Sequence, residues 1–141
     1  SYAMLPDAKK SELQGLVAEH SMAHSRAQVA PGLISDAFLK DTPPVEQLVV
    51  RTIPETGAKA LLVGSYAARI IGWPIEKGQG LLQELLDWVT QPQFVYRHNW
   101  CVNDLLVYDN RCCVHRGGDR DRVACKRTVH CTTLADHGPT V

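Results

Sequence analysis

Apolar residues in the first stretch of the chain recur at helical spacing. Leu13, Leu16, Val17, His20 and Ala23 or His24 fall three or four positions apart, and Pro6-Asp7 offers a start. This spacing predicts a helix over residues 6–24, weakened a little by Gly15. Residues 25–45 lose the period. They carry Pro31-Gly32 and Pro43-Pro44 and read as a long loop. Two β-rich runs follow, Leu48-Val49-Val50-Arg51-Thr52 and Lys59-Ala60-Leu61-Leu62-Val63. Between them Pro54-Glu55-Thr56-Gly57 is a turn, with Gly57 supplying the positive φ, so the stretch predicts a hairpin. Residues 74–90 regain the helical period: Pro74 sits in the first turn, and Leu81, Leu82, Leu85, Trp88 and Val89 form an apolar stripe.

The last third is strand-like. Phe94-Val95-Tyr96, Asp104-Leu105-Leu106-Val107-Tyr108 and Arg111-Cys112-Cys113-Val114-His115 are short β runs separated by turn residues. Gly117-Gly118 opens a charged loop, and a final run extends from Val123 to Leu134. Helix, hairpin, helix and then several antiparallel strands predict an α+β fold, mainly β, with helices packed outside a sheet core. No repeat, low-complexity tract or linker interrupts it, so residues 1–141 read as one domain.

Composition narrows the function. The chain has 141 residues, 15 Lys+Arg against 15 Asp+Glu, and 45% hydrophobic residues. A chain of this size can bury roughly two thirds of its unfolded surface. Zero formal charge removes the electrostatic case for nucleic acid and for a polybasic membrane patch. No apolar run approaches the roughly 20 residues of a membrane span, and the first residues lack the basic-then-apolar order of a signal peptide. The five cysteines are odd in number and contain no C-x-x-C pair, which predicts reduced thiols in a cytoplasmic protein. Adjacent Cys112 and Cys113 would point to opposite faces of a strand.

Asp109-Asn110-Arg111 followed by Val114-His115 is the most unusual polar cluster. It reads either as a turn with satisfied polar side chains beside a half-buried histidine, or as an imidazole presented to a cavity. Chemistry alone favours the former. Arg127, twelve positions after His115, is either a surface residue or a buried cation that needs a carboxylate partner. On a helix, His20 and His24 would share a face, but Ser21 follows His20 and no H-E-x-x-H motif exists. An ordinary helix-face pair is the simpler reading. There is no phosphate-binding glycine loop and no G-x-S-x-G elbow.

Three stretches resemble the TauD/TfdA family of Fe(II)- and 2-oxoglutarate-dependent dioxygenases, which includes the taurine and 2,4-dichlorophenoxyacetate enzymes. They are Val50 to Gly57 and on through Leu62-Val63-Gly64, then Tyr96-Arg97-His98-Asn99-Trp100, then Asp104 to Arg111 with Val114-His115-Arg116. The likeness runs in order through essentially the whole chain. It implies a double-stranded β-helix, or jelly roll, with flanking helices. It also implies a 2-His-1-carboxylate triad for Fe(II), with open positions for 2-oxoglutarate and O₂. By resemblance His115 matches the distal iron histidine, and Arg127 matches the arginine that clamps the far carboxylate of 2-oxoglutarate. Tyr108 replaces a usual tryptophan beside Asp109 and is matched to the cosubstrate site. Trp100, Asp109, Asn110 and Arg111 match residues supporting the site, and Cys131 stands where many members carry a substrate-gripping arginine. The partner implied is a small organic, acidic substrate; a homo-oligomer stays open.

The departures shape the expectation. The family's first two iron ligands come from an H-x-D motif, and none of the six histidines here is followed two positions later by Asp or Glu. One ligand of three is thus expected, in a chain resembling the C-terminal part of a family member with an incomplete jelly roll. A cysteine at 131 cannot pair with a sulfonate or carboxylate as arginine does, which argues against a taurine-like substrate. The alternative from another class is a non-catalytic jelly-roll fragment that completes its sheet with a partner.

Overall fold

The computed structural model describes residues 1–30, 32, 34–118 and 128–134. After a 3-10 turn at Tyr2–Met4, helix α1 covers Asp7–Leu13 and strand β1 covers Val17–His20. Helices α2 (Met22–Val29) and α3 (Asp36–Asp41) follow. Then come β2 (Val45–Leu48), β3 (Val50–Thr52), β4 (Lys59–Leu61), β5 (Ala67–Ile70) and α4 (Ile75–Val89).

The helix predicted over 6–24 is three elements. Leu13 ends α1 fully buried, and Gly15 at φ +74° turns the chain, a conformation that glycine adopts without a Cβ penalty. The chain returns as β1, which finds backbone partners on both sides. β1 is the centre of an antiparallel sheet ordered β2-β1-β5. Its Ala18 faces Gln47 and Ile70, and Glu19 lies opposite Arg69, whose Nη2 is 2.7 Å from Glu19 Oε2. The cross-strand ladder outweighs the local helical spacing.

The loop predicted over 25–45 contains α2 and α3. Ser21 Oγ accepts from His24 N at 3.1 Å, and Ser35 Oγ accepts from Phe38 N at 3.2 Å, so each helix begins on a serine cap. Neither helix buries a residue, which is why no apolar period marks it.

The hairpin forms where predicted, but with shorter strands: Leu48 belongs to β2 in the other sheet, and Leu62-Val63 lie beyond β4. Val50, Arg51 and Thr52 pair with Leu61, Ala60 and Lys59, and Gly57 closes the turn at φ +67° with its N–H on Ile53 O at 2.8 Å. Fully buried Val49 joins the two sheets: its N–H donates to Leu16 O, and its carbonyl accepts from Leu62 N, both at 2.8 Å. The predicted second helix is α4. Leu81, Leu82 and Leu85 are buried against a core of Leu13, Ala18, Val49, Leu61, Val63 and Ile70. The helix crosses β5 so closely that a Cβ on Gly78 would lie 3.0 Å from Ile70 N.

The last third departs from prediction. Beyond a 3-10 turn at Pro92–Phe94, described residues 95–118 and 128–134 form no helix or strand. The runs at 94–96, 104–108 and 111–115 are therefore not strands here, nor is the described part of the final run; residues 123–127 of it lie outside the described residues. A β-rich run alone does not make a strand, because the backbone needs a neighbouring ladder. Leu105 and Val107 are 87% and 82% exposed. The described residues form antiparallel sheets with helices packed against them. Among them no helix is long and apolar enough to cross a membrane.

Candidate functional site

The polar cluster noted in the sequence is a tight turn fastened to the hairpin. Asp109 accepts four bonds from Arg111: the backbone N–H to Oδ1 at 2.8 Å, Nε to Oδ1 at 3.1 Å and Oδ2 at 3.0 Å, and Nη2 to Oδ2 at 2.8 Å. The other arm of the guanidinium, Nη1, donates to Glu55 Oε1 at 2.9 Å, in the turn between β3 and β4. Both acids sit below the ordinary carboxylate range chiefly because Arg111 bonds their charged forms, and Arg111 is correspondingly pushed up. The Asp109 carbonyl accepts from Cys112 N at 3.2 Å and Cys113 N at 3.1 Å, which completes the turn with Asn110 at its exposed corner.

This turn changes the geometry expected of the cysteines. Their sulfurs do not face opposite ways: Cys112 Sγ lies 3.9 Å from Cys113 Sγ and 3.6 Å from Asp109 O. Burial, then the hydrogen bond to Cys113, pushes the Cys112 thiol up. His115 follows on the exposed chain with its ring centroid 4.6 Å from that of Tyr108, planes tilted by 53°. The structure thus brings Tyr108 and His115 together, and Asp109 with Arg111.

Trp100 stands apart from that turn. Its ring meets the His98 ring edge-on at 4.7 Å. His98 Nε2 is 3.0 Å from Asp104 Oδ2, its Nδ1 is 3.2 Å from Tyr96 Oη, and the same Asp104 oxygen accepts from Cys101 N at 2.8 Å. The backbone bond from Cys101 is the main reason Asp104 sits below its ordinary range, and His98 adds to it. Neither His98 nor Asp104 was marked by composition or spacing as a pair; the turn residue between them, Asn103 at φ 73°, was the available signal. Glu55 gave no signal beyond its turn, because its partner lies 56 positions away.

The histidine pair expected on one helix face is split between β1 and α2. His24 Nε2 is 2.8 Å from Gln28 Nε2. His20 Nε2 is buried without a hydrogen-bond partner, and burial lowers this imidazole from its ordinary range. Cys131 is an exposed free thiol. Arg127 lies outside the described residues. No group of three or more His, Cys, Asp or Glu that could hold a metal occurs among the described residues. His115 is one ligand-type side chain, so the described residues do not by themselves fit a three-ligand iron site.

Comparison with known proteins supplies the context. A family model described as "Taurine catabolism dioxygenase TauD, TfdA family" matches residues 1–132. An alpha-ketoglutarate-dependent 2,4-dichlorophenoxyacetate dioxygenase of Burkholderia sp. (strain RASC) is 44% identical over 134 residues, 95% of this chain and 45% of that protein. A solved structure from Burkholderia xenovorans, described as a candidate alpha-ketoglutarate dependent 2,4-D dioxygenase, superposes with a TM-score of 0.76 at 40% identity. That match covers 79% of this chain and 43% of the other. The crystal structure of AAD-2 with Mn(II) and N-oxalylglycine, an analogue of 2-oxoglutarate, gives 0.74 at 38% identity, covering 79% and 44%. The chain spans about half the length of the relatives it matches.

Proposed function

The chain belongs to the TauD/TfdA dioxygenase family, and from that premise we propose that it is part of an Fe(II)- and 2-oxoglutarate-dependent dioxygenase that hydroxylates a small aryloxyalkanoic acid. The observation that carries this reading is the 108–115 segment: Arg111 fastens its turn to the hairpin, and the Tyr108 ring packs at a tilt against His115. In the overall reaction O₂ and 2-oxoglutarate are consumed, succinate and CO₂ leave, and the substrate gains a hydroxyl group.

His115 is assigned as an iron ligand, with Tyr108 restricting the orientation of its ring. Arg127 is assigned to the far carboxylate of 2-oxoglutarate, for which a planar guanidinium offers two parallel bonds. Asp109, Asn110 and Arg111 hold the turn that leads into His115, and Trp100 supports the strand before it. Cys131 is assigned to the substrate side, and the aryloxyalkanoic acid class is taken from the 2,4-dichlorophenoxyacetate named for the Burkholderia relative. The fold proposed for the whole domain is a double-stranded β-helix in which 104–108 and 111–115 become paired strands. This is a single domain to which residues 1–141 contribute, in a cytoplasmic protein.

A second reading, a non-catalytic module that completes its sheet with a partner, is favoured by the exposure of Leu105 and Val107. One experiment separates the two. The natural polypeptide that contains this sequence, with whatever further iron ligands it carries, is purified without oxygen and given Fe(II), 2-oxoglutarate and phenoxyacetic acid. The dioxygenase gives a visible absorption band from the iron–2-oxoglutarate complex, and succinate forms once oxygen is admitted. Absence of both band and succinate overturns the reading in favour of the module.

A further inference from the structure

The turn that positions His115 also holds two thiols side by side. We propose that Cys112 and Cys113 form a redox-responsive vicinal dithiol that closes reversibly into a disulfide between adjacent residues.

The geometry carries this. The two N–H groups share the Asp109 carbonyl at 3.2 and 3.1 Å, and Cys112 Sγ lies 3.6 Å from the same oxygen. That shared anchor keeps both side chains on one side of the chain, with the sulfurs 3.9 Å apart. Both thiols are exposed, so a dissolved oxidant reaches them. Arg111, immediately before them, is fixed to Asp109 and Glu55, so the turn is held in place while the sulfurs react.

The oxidant is hydrogen peroxide. One cysteine sulfur attacks the peroxide, the O–O bond breaks, and a sulfenic acid forms as water leaves. The neighbouring sulfur then attacks that sulfenic sulfur. The S–S bond forms, the S–O bond breaks, and a second water carries away the hydroxide with the neighbour's proton. Two electrons pass from the thiols to the peroxide. The sulfurs must approach by about 1.9 Å to reach the disulfide length near 2.05 Å. Adjacent Cα atoms are only about 3.8 Å apart, below the usual disulfide range, so the ring is strained and readily reduced. A strained, exposed disulfide has the potential of a labile switch and not of a structural staple.

The test is independent of the reaction proposed above. The 141-residue chain is treated with hydrogen peroxide, its remaining thiols are alkylated with iodoacetamide, and it is digested with trypsin. Cleavage after Arg111 and Arg116 releases a peptide whose only cysteines are these two. The expected product is unalkylated, lighter than the reduced peptide by two hydrogens, and returned by dithiothreitol to a form that takes two alkyl groups. In C112S and C113S the two-hydrogen loss disappears. A peptide that remains doubly alkylated after peroxide, or that is linked to Cys101, Cys125, Cys131 or a second chain, overturns the proposal. So does one carried on to sulfinic acid.

Discussion

Arg111 Nη1 stands 2.9 Å from Glu55 Oε1, across 56 positions of sequence. This contact links the 108–115 turn to the β3–β4 hairpin, and through β3 and β4 to the core at Val49 and Leu61. A guanidinium held by two carboxylates at once has less freedom left to lose than one in an isolated surface pair, so the contact is a fastening point despite its exposure.

Arg111→Ala should therefore release the turn and spare the core. Limited proteolysis within 95–118 should speed up, while the thermal midpoint of the rest of the chain barely moves. Glu55→Gln, which leaves the Asp109 pair intact, should have the smaller effect. Acid should mimic the arginine variant. Both carboxyls have folded-state values below their unfolded ones, so their contribution is complete above about pH 4–5 and is lost as pH falls below that. Proteolysis that is no faster in R111A than in the parent chain would show the contact to be incidental.

His20 sets a separate pH dependence at higher pH. Its cross-strand partners, Val45 on β2 and Ala67 on β5, are apolar, so no carboxylate lies opposite to favour the imidazolium. Burial lowers its folded-state value. The unfolded chain therefore takes up this proton first, at about pH 6.5, and stability falls as pH drops from there until the folded imidazole also protonates. Urea midpoints at about pH 7.5 and about pH 5.5 should differ in the parent chain and differ less in His20→Gln. An unchanged difference in the variant would assign the dependence to other groups.

Gly78 and Gly80 test how closely α4 lies on β5. Alanine at either removes a helix-interior glycine, worth about 1 kcal/mol in favour of the helix. At Gly80 nothing lies within 4 Å of the new Cβ, so Gly80→Ala should stabilise the chain by about that amount. At Gly78 the Cβ would meet Ile70 N at 3.0 Å, a backbone atom of a paired strand that cannot step aside. Gly78→Ala should destabilise by about 1–3 kcal/mol net. Chemical denaturation of the two variants measures both signs, and equal stabilisation by the two would mean that α4 can shift without cost.

The same contrast between local and distant causes explains what the sequence made legible. The stripe Leu81, Leu82, Leu85 and the turn glycine Gly57 are local signals, and α4 and the hairpin stand where they pointed. Leu13 and Leu16 kept a helical spacing across a boundary, because both sides of Gly15 face one core; the period was that of the core and not of one helix. Helices α2 and α3 bury nothing, so only their serine caps announced them. The β-rich run at 104–108 was visible, but a strand depends on a ladder that no local pattern encodes. At the candidate site the Asp109-to-His115 spacing was legible through family resemblance. The hold of Glu55 on Arg111 was not, because it depends on two turns meeting in space.

His115 and Arg127 should separate metal binding from cosubstrate binding. In a polypeptide that also supplies the other two iron ligands, His115 would bind the iron, and Arg127 only the distant carboxylate of 2-oxoglutarate. Arg127→Ala should then weaken 2-oxoglutarate by roughly 10- to 150-fold, the loss of a charged hydrogen-bonded contact of about 1.5–3 kcal/mol. Its Fe(II) affinity should stay within about twofold of the parent value, far less than one such contact. Arg127→Lys should restore little, because an ammonium is a point charge without the planar fork. His115→Ala should lose iron and, with it, the iron-dependent part of 2-oxoglutarate binding. Anaerobic titrations of Fe(II) alone and of 2-oxoglutarate with Fe(II) present measure the two affinities independently in each variant. Parallel loss of both in Arg127→Ala would instead make Arg127 a structural cation, and 2-oxoglutarate would then need another counter-charge.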